Sequence, residues 1–108
     1  TVVGRAVGFF VGGTALNTPV LSLNQTYCGV AVMSGGTGYL YLDGKLSTSG
    51  ALLYGAIDDI TSAIGGSRQF TSLKQFQGSI YSTKVYNRAL TANEVKQNFE
   101  ATRSRFGI

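Results

Sequence analysis

The chain of 108 residues is long enough for one small domain. It is 44% apolar and only 13% charged, so it is globular and draws its solubility from Ser, Thr, Asn, Gln and exposed backbone. It has one cysteine, no histidine and a net charge of +4, which excludes an internal disulfide and any Ser–His catalytic pair within the chain.

Short apolar stretches recur between Gly, Ser, Asn and Thr, and they read as strands spanning about residues 6–86. Residues 6–11 (AVGFFV) predict a first strand, closed by Gly12-Gly13. Residues 19–23 (PVLSL) predict a second, with Pro19 at its start or on an edge. Residues 27–33 (YCGVAVM) are apolar on both sides and predict a fully covered strand, with Cys28 a buried structural thiol. Residues 34–38 form a turn. Residues 39–42 (YLYL) then meet Asp43-Gly44 and Lys45-Leu46; Asp-Gly between apolar runs marks a two-residue hairpin, because both central residues of a type I′ turn need φ > 0. Residues 51–57 and 60–64 predict further strands, residues 67–75 a loop, and residues 76–86 (FQGSIYSTKVY) the last strand.

The ending is different. Thr91 and Glu94 have the spacing of a capping box, in which the threonine side chain accepts from the Glu94 N–H and the glutamate reaches back to the Thr91 N–H. Leu90 and Val95 flank it at the spacing of a hydrophobic staple. Phe99, Thr102 and Phe106 continue the apolar stripe, and Gly107 is a natural stop, so an amphipathic helix is expected over about 92–105. Lys96, Gln97, Glu100, Arg103 and Arg105 fall on its other face, toward water or a partner. The helix covers an open edge or end of the sheet.

These residues resemble a known family. A strand at 39–42 with Asp43-Gly44-Lys45 is followed by Ile64-Gly65-Gly66, by Phe76-Gln77-Gly78-Ser79-Ile80, and by Val85-Tyr86-Asn87-Arg88-Ala89-Leu90-Thr91 with Glu94-Val95. The order resembles the C-terminal half of a concanavalin A-like, laminin-G-like jelly roll, closely over 76–95 and loosely over 39–108. The resemblance implies an all-β fold: an antiparallel β-sandwich with one C-terminal helix, forming a single domain over 1–108. Such domains are appended to secreted enzymes, adhesins and bacteriophage virion proteins, and residues 99–108 are similar to the ending of phage structural proteins. Sandwiches of this kind often run to about 200–250 residues. The chain is therefore expected to be a reduced sandwich, or one whose first strands come from another segment or chain, with edges that need a partner.

Candidate chemistry is sparse. Relatives in the glucanase branch carry paired carboxylates, and the nearest candidates are Asp58 and Asp59. Adjacent strand residues point to opposite faces, so these two do not flank one glycosidic bond. Relatives also bind calcium, for which Asp58 and Asp59 are weak candidates; a turn between two strands is the preferred reading of the pair. The glycine runs at 12–13, 35–38 and 65–66 lack the Lys-Ser/Thr and helix of a phosphate loop and read as strand turns. Asn24-Gln25-Thr26 matches a glycosylation sequon. Tyr39 and Tyr41 share one strand face; the row either stacks a glycan or packs against a second layer or subunit. Asp43, Gly44, Leu90, Thr91, Glu94, Val95 and Phe99 have structural roles.

The expected function is that of a non-enzymatic structural and interaction module without cofactors. It would be a virion surface component, as capsid decoration, tail or fibre protein, docking onto neighbouring subunits in a homo- or hetero-oligomer. The alternative is a lectin-like domain that binds cell-surface polysaccharide, with an extracellular location. No run approaches the ~20 apolar residues that span a bilayer. The scattered basic side chains read as a solvated face or as attraction to an acidic subunit, and not as a nucleic-acid surface. The start, Thr1-Val2-Val3-Gly4-Arg5, has neither initiator Met nor signal-peptide order, as in a mature or trimmed chain or the tail of a longer one.

Overall fold

A computed structural model describes residues 8–11, 14–51 and 78–108. The chain divides into two compact units, Thr1–Gly55 with Asn87–Ile108 in one and Ala56–Tyr86 in the other.

In the first unit, strands β1 (Gly8–Val11) and β2 (Thr14–Asn17) form an antiparallel hairpin. Strands β3 (Gly29–Ser34), β4 (Thr37–Leu42) and β5 (Lys45–Ala51) form an antiparallel meander in that order. Two turns of two residues each fix its register. Gly35 and Gly36 have φ of 59° and 80°, and Asp43 and Gly44 have 51° and 80°. Positive φ at both central residues is what a type I′ turn requires, and its twist matches that of the flanking strands. Leu40 pairs with Thr48 while Tyr41 pairs with Leu46, so Ser47 is an extra residue that bulges β5.

The sheet is covered on both sides. Val30 pairs with Tyr41 and Val32 with Tyr39, which puts all four on one face. Leu90 and Val95 close over Val32 and Tyr41 on that face, with Val30 and Tyr39 packed alongside. Leu40 and Gly50 lie on the opposite face, toward β2: Leu40 is 1% exposed, and a Cβ at Gly50 would sit 3.2 Å from the Leu16 side chain.

Helix α1 (Ala92–Thr102) passes into a 3₁₀ turn at Arg103–Phe106, which ends at Gly107 with φ of 72°. The expected helix over 92–105 is therefore α-helical only to Thr102. Phe99 packs on the β4–β5 turn. A Cβ on Gly44 would come 2.9 Å from Phe99 Cδ2 and 3.2 Å from its Cβ and Cγ. Glycine at 44 thus satisfies two demands, a left-handed φ and room for the ring.

Four expectations change. Residues 19–23 form no strand, and β2 lies earlier, at Thr14–Asn17, where the hairpin partner of β1 is needed. The strand expected over 27–33 begins at Gly29 and is covered on alternate residues only, since Gly29 and Ala31 are exposed. The strand expected from 51 is the end of β5, with Ala51 its last residue. Residues 78–86 of the expected last strand take no regular secondary structure. The expectations for residues 52–77 lie outside the described residues.

Gly44→Ala should lower the denaturation midpoint, with a loss of about 1–3 kcal/mol from the forced left-handed φ and a further contribution from the clash with Phe99. Phe99→Ala should cost about 3–5 kcal/mol in the same measurement.

Candidate functional site

The conspicuous polar constellation surrounds the start of α1. Glu94 N–H donates to Thr91 Oγ1 at 3.2 Å, and Thr91 N–H donates to Glu94 Oε1 at 3.0 Å. Both halves of the capping box are made, satisfying two helix-terminal donors reciprocally. Arg88 adds a fork: Nη1 donates to Glu94 Oε1 at 2.8 Å and Nη2 to Oε2. The guanidinium of Arg88, followed by the Thr91 backbone bond, holds the Glu94 carboxyl down to about 2 from its ordinary 4.5. Leu90 and Val95, on either side of the cap, are both buried in the same cluster. Five members of R-A-L-T-x-x-E-V thus have a place: Arg88 and Glu94 clamp, Thr91 caps, and Leu90 and Val95 staple.

A second polar constellation lies at the opposite end of the helix. Asp43 N–H donates to the Cys28 carbonyl and Cys28 N–H donates to Asp43 Oδ1, both at 2.8 Å. This double bond ties the segment before β3 to the β4–β5 turn. Arg103 is fixed from three directions. Its Nε–H donates to the Ile108 main-chain oxygen at 2.6 Å, its Nη1 lies 3.5 Å from Glu100 Oε1, and its guanidinium sits 5.0 Å from the Phe99 ring centroid. Between these groups runs an open groove of about 820 Å³. Leu42, Phe99 and Ile108 supply its apolar lining, and Asn24, Gln25, Thr26 and Lys45 much of its polar lining. Lys45 and Arg103 balance Asp43 and Glu100 in charge. The side chains of Asn24, Gln25 and Lys45 make no hydrogen bond or ion pair among the described residues. Sequence reasoning missed this groove, whose walls come from three separated segments; the sequon Asn24-Gln25-Thr26 was its one local sign.

Tyr39 and Tyr41 share a face, but that face is the one under Leu90 and Val95. Tyr41 is 7% exposed and Tyr39 half-buried, and both pack in the cluster with Leu90 and Val95. Asp58 and Asp59 lie outside the described residues. Each described carboxylate is engaged: Asp43 by Cys28, Glu94 by Arg88 and Thr91, and Glu100 by Arg103. Among the described residues no group of three or more His, Cys, Asp or Glu side chains gathers to hold a metal. No described helix is long and apolar enough to cross a membrane.

A family model described as the concanavalin A-like lectin/glucanases superfamily matches residues 6–96. The chain belongs to this superfamily. A search of curated proteins finds no significant match. Among solved structures the chain is similar to the S-layer domain-containing protein (residues 221–444) of Clostridium thermocellum, with 23% identity and a TM-score of 0.64 over 82% of this chain. It spans 46% of that chain, about half its length, and the likeness concerns the fold. In this concanavalin A-like chain the helix-start motif acts as a structural clamp, and the groove is a separate feature at the far end of the helix.

Thr91→Ala should cost about 1 kcal/mol in chemical denaturation through loss of the cap. The folded Glu94 carboxyl lies below its unfolded value of 4.5, so its contribution to stability is complete above that pH and disappears as pH falls toward 2. Glu94→Gln should remove this part of the acid sensitivity. An unchanged acid-unfolding profile in that variant would place the titrating group elsewhere.

Proposed function

We propose that this chain is a non-catalytic interaction module of an extracellular surface assembly, docking onto neighbouring protein subunits. The observation that carries the reading is the engagement of every described carboxylate in holding the fold. Hydrolysis of a glycosidic bond needs two carboxyl groups facing the bond across an open cleft. Here Asp43 secures a loop, Glu94 a helix start and Glu100 an arginine. Docking draws support from large apolar side chains left on the surface of the first unit: Val20, Leu23 and Leu46 are each more than half exposed. A hydroxyl-rich chain with only 13% charged residues suits contact with other subunits, since charged residues are depleted at interface cores.

A virion surface is the setting we favour, as capsid decoration, tail or fibre, on the likeness of residues 99–108 to the endings of such proteins; a cell-surface layer is the other. The similar S-layer domain-containing protein suits a surface location. On this reading the hairpin and the three-stranded sheet are parts of an antiparallel sandwich whose remaining edges are completed in the assembly. The groove supports a second reading, polysaccharide binding, because unengaged amide and amine groups surround an apolar floor there.

Incubation of the chain with soluble mixed-linkage glucan and with xylan should release no reducing ends above the protein-free blank. Release that disappears in Asp58→Asn or Asp59→Asn would overturn the non-catalytic reading.

A further inference from the structure

Four charged side chains line the groove beside the end of α1, and three of them are engaged within the fold. Arg103 donates to the Ile108 main-chain oxygen and lies beside Glu100 and over the Phe99 ring. Glu100 faces Arg103, and Asp43 Oδ1 accepts from the Cys28 N–H. Lys45 differs. It is the exposed first residue of β5, and among the described residues its ammonium makes no hydrogen bond or ion pair. The exposed side chains of Asn24 and Gln25 are likewise unengaged there. Their loop is tethered: Ser22 N–H donates to Tyr27 Oη at 3.0 Å, and Cys28 is bonded twice to Asp43. A tethered loop holds its amides near one place, which lowers the ordering cost of binding through them.

These uncommitted groups specify a ligand. An ammonium without a partner calls for an anion. Primary amides offer both donors and an acceptor, the pattern that answers neighbouring hydroxyls. Leu42 and Ile108, both half-buried, give an apolar floor for the C–H face of a sugar ring. A saccharide carrying a carboxylate brings all three features on one ring. A phosphate is better met by a free guanidinium fork or by a nest of backbone N–H groups, and the guanidinium of the groove is already engaged. An acidic peptide brings carboxylates without the hydroxyls that Asn24 and Gln25 would serve. The volume of about 820 Å³ lies within the roughly 300–1,000 Å³ of ligand pockets, and the groove is open, so a polymer can run through it.

We infer that the groove binds a uronic-acid-containing polysaccharide: Lys45 Nζ pairs with the carboxylate, and the Asn24 and Gln25 amides hydrogen-bond hydroxyls of the same sugar or the next. The inference rests on the polysaccharide-binding reading of this groove and adds to it a charge requirement. Recognition of a carboxylate by an ammonium needs no bridging cation, so binding persists in a chelator.

Calorimetric titration in EDTA, with an oligogalacturonate and with the same oligomer after reduction of its carboxyls, tests this. The acidic oligomer should bind about ten-fold more tightly than the reduced one, and added salt should narrow the gap. Lys45→Gln should abolish the preference and Lys45→Arg keep it. Lys96→Gln, which removes an equal charge from an exposed position on α1 outside the groove, should leave it unchanged. Asn24→Ala should weaken both oligomers. A preference that survives Lys45→Gln overturns the inference. Equal binding of the two oligomers, lost in Asn24→Ala, overturns the charge requirement while sustaining the polysaccharide reading. No binding of either overturns both and leaves the docking reading standing. Tighter binding of poly-glutamate than of the oligogalacturonate overturns the inference in favour of an acidic protein partner.

Discussion

The fold of the first unit depends on one contact, the Phe99 ring against the backbone of Gly44. The contact is available because the β4–β5 turn holds two residues at positive φ, and glycine at the second leaves space where any other side chain would strike the ring. The helix must then present residue 99 to that turn. Its phase is set at the other end, where Thr91 and Glu94 fix the first turn and Leu90 and Val95 seat it on Tyr41 and Val32. Arg103 lies over the ring and is itself held by Glu100 and Ile108. Phe99 therefore meets both a turn and a guanidinium, and the helix is located by a local signal at one end and a tertiary one at the other.

This arrangement bears on function through where the ionisable groups are employed. In a hydrolase the carboxylates would be kept for substrate, with environments that separate their pKa values near the working pH. The Glu94 carboxyl is instead driven far down by Arg88 and the cap, which keeps it ionised and bound in place. Asp43 spends its side chain on the Cys28 N–H and its own N–H on the Cys28 carbonyl. Under the proposed reading, what is left for function is surface: the groove beside Arg103 and the apolar residues outside the core.

The parts legible in the sequence were those specified by neighbours in the chain. Asp43-Gly44 announced its turn because the φ requirement is local. Thr91, Glu94, Leu90 and Val95 announced the helix start for the same reason, and Gly107 its end. The parts missed depend on pairing at a distance. Residues 14–17 carry no strand signature apart from their partner in β1, whereas residues 19–23 have the composition of a strand but no strand that pairs with them among the described residues. Period-two alternation placed Tyr39 and Tyr41 together but left open which face is covered. Here both faces are, by the helix on one side and by the hairpin on the other. The bulge at Ser47 and the change from α-helix to 3₁₀ after Thr102 are likewise adjustments to packing that no local pattern encodes.

The most direct test of this account is a nuclear Overhauser measurement on the chain in solution. The α protons of Gly44 should show strong cross-peaks to the ring protons of Phe99, and these should vanish in Phe99→Leu while the amide pattern of the Asp43-Gly44 turn persists. Absence of those cross-peaks in a chain that retains the capped helix would mean that the helix is docked elsewhere and would contradict the account at its base.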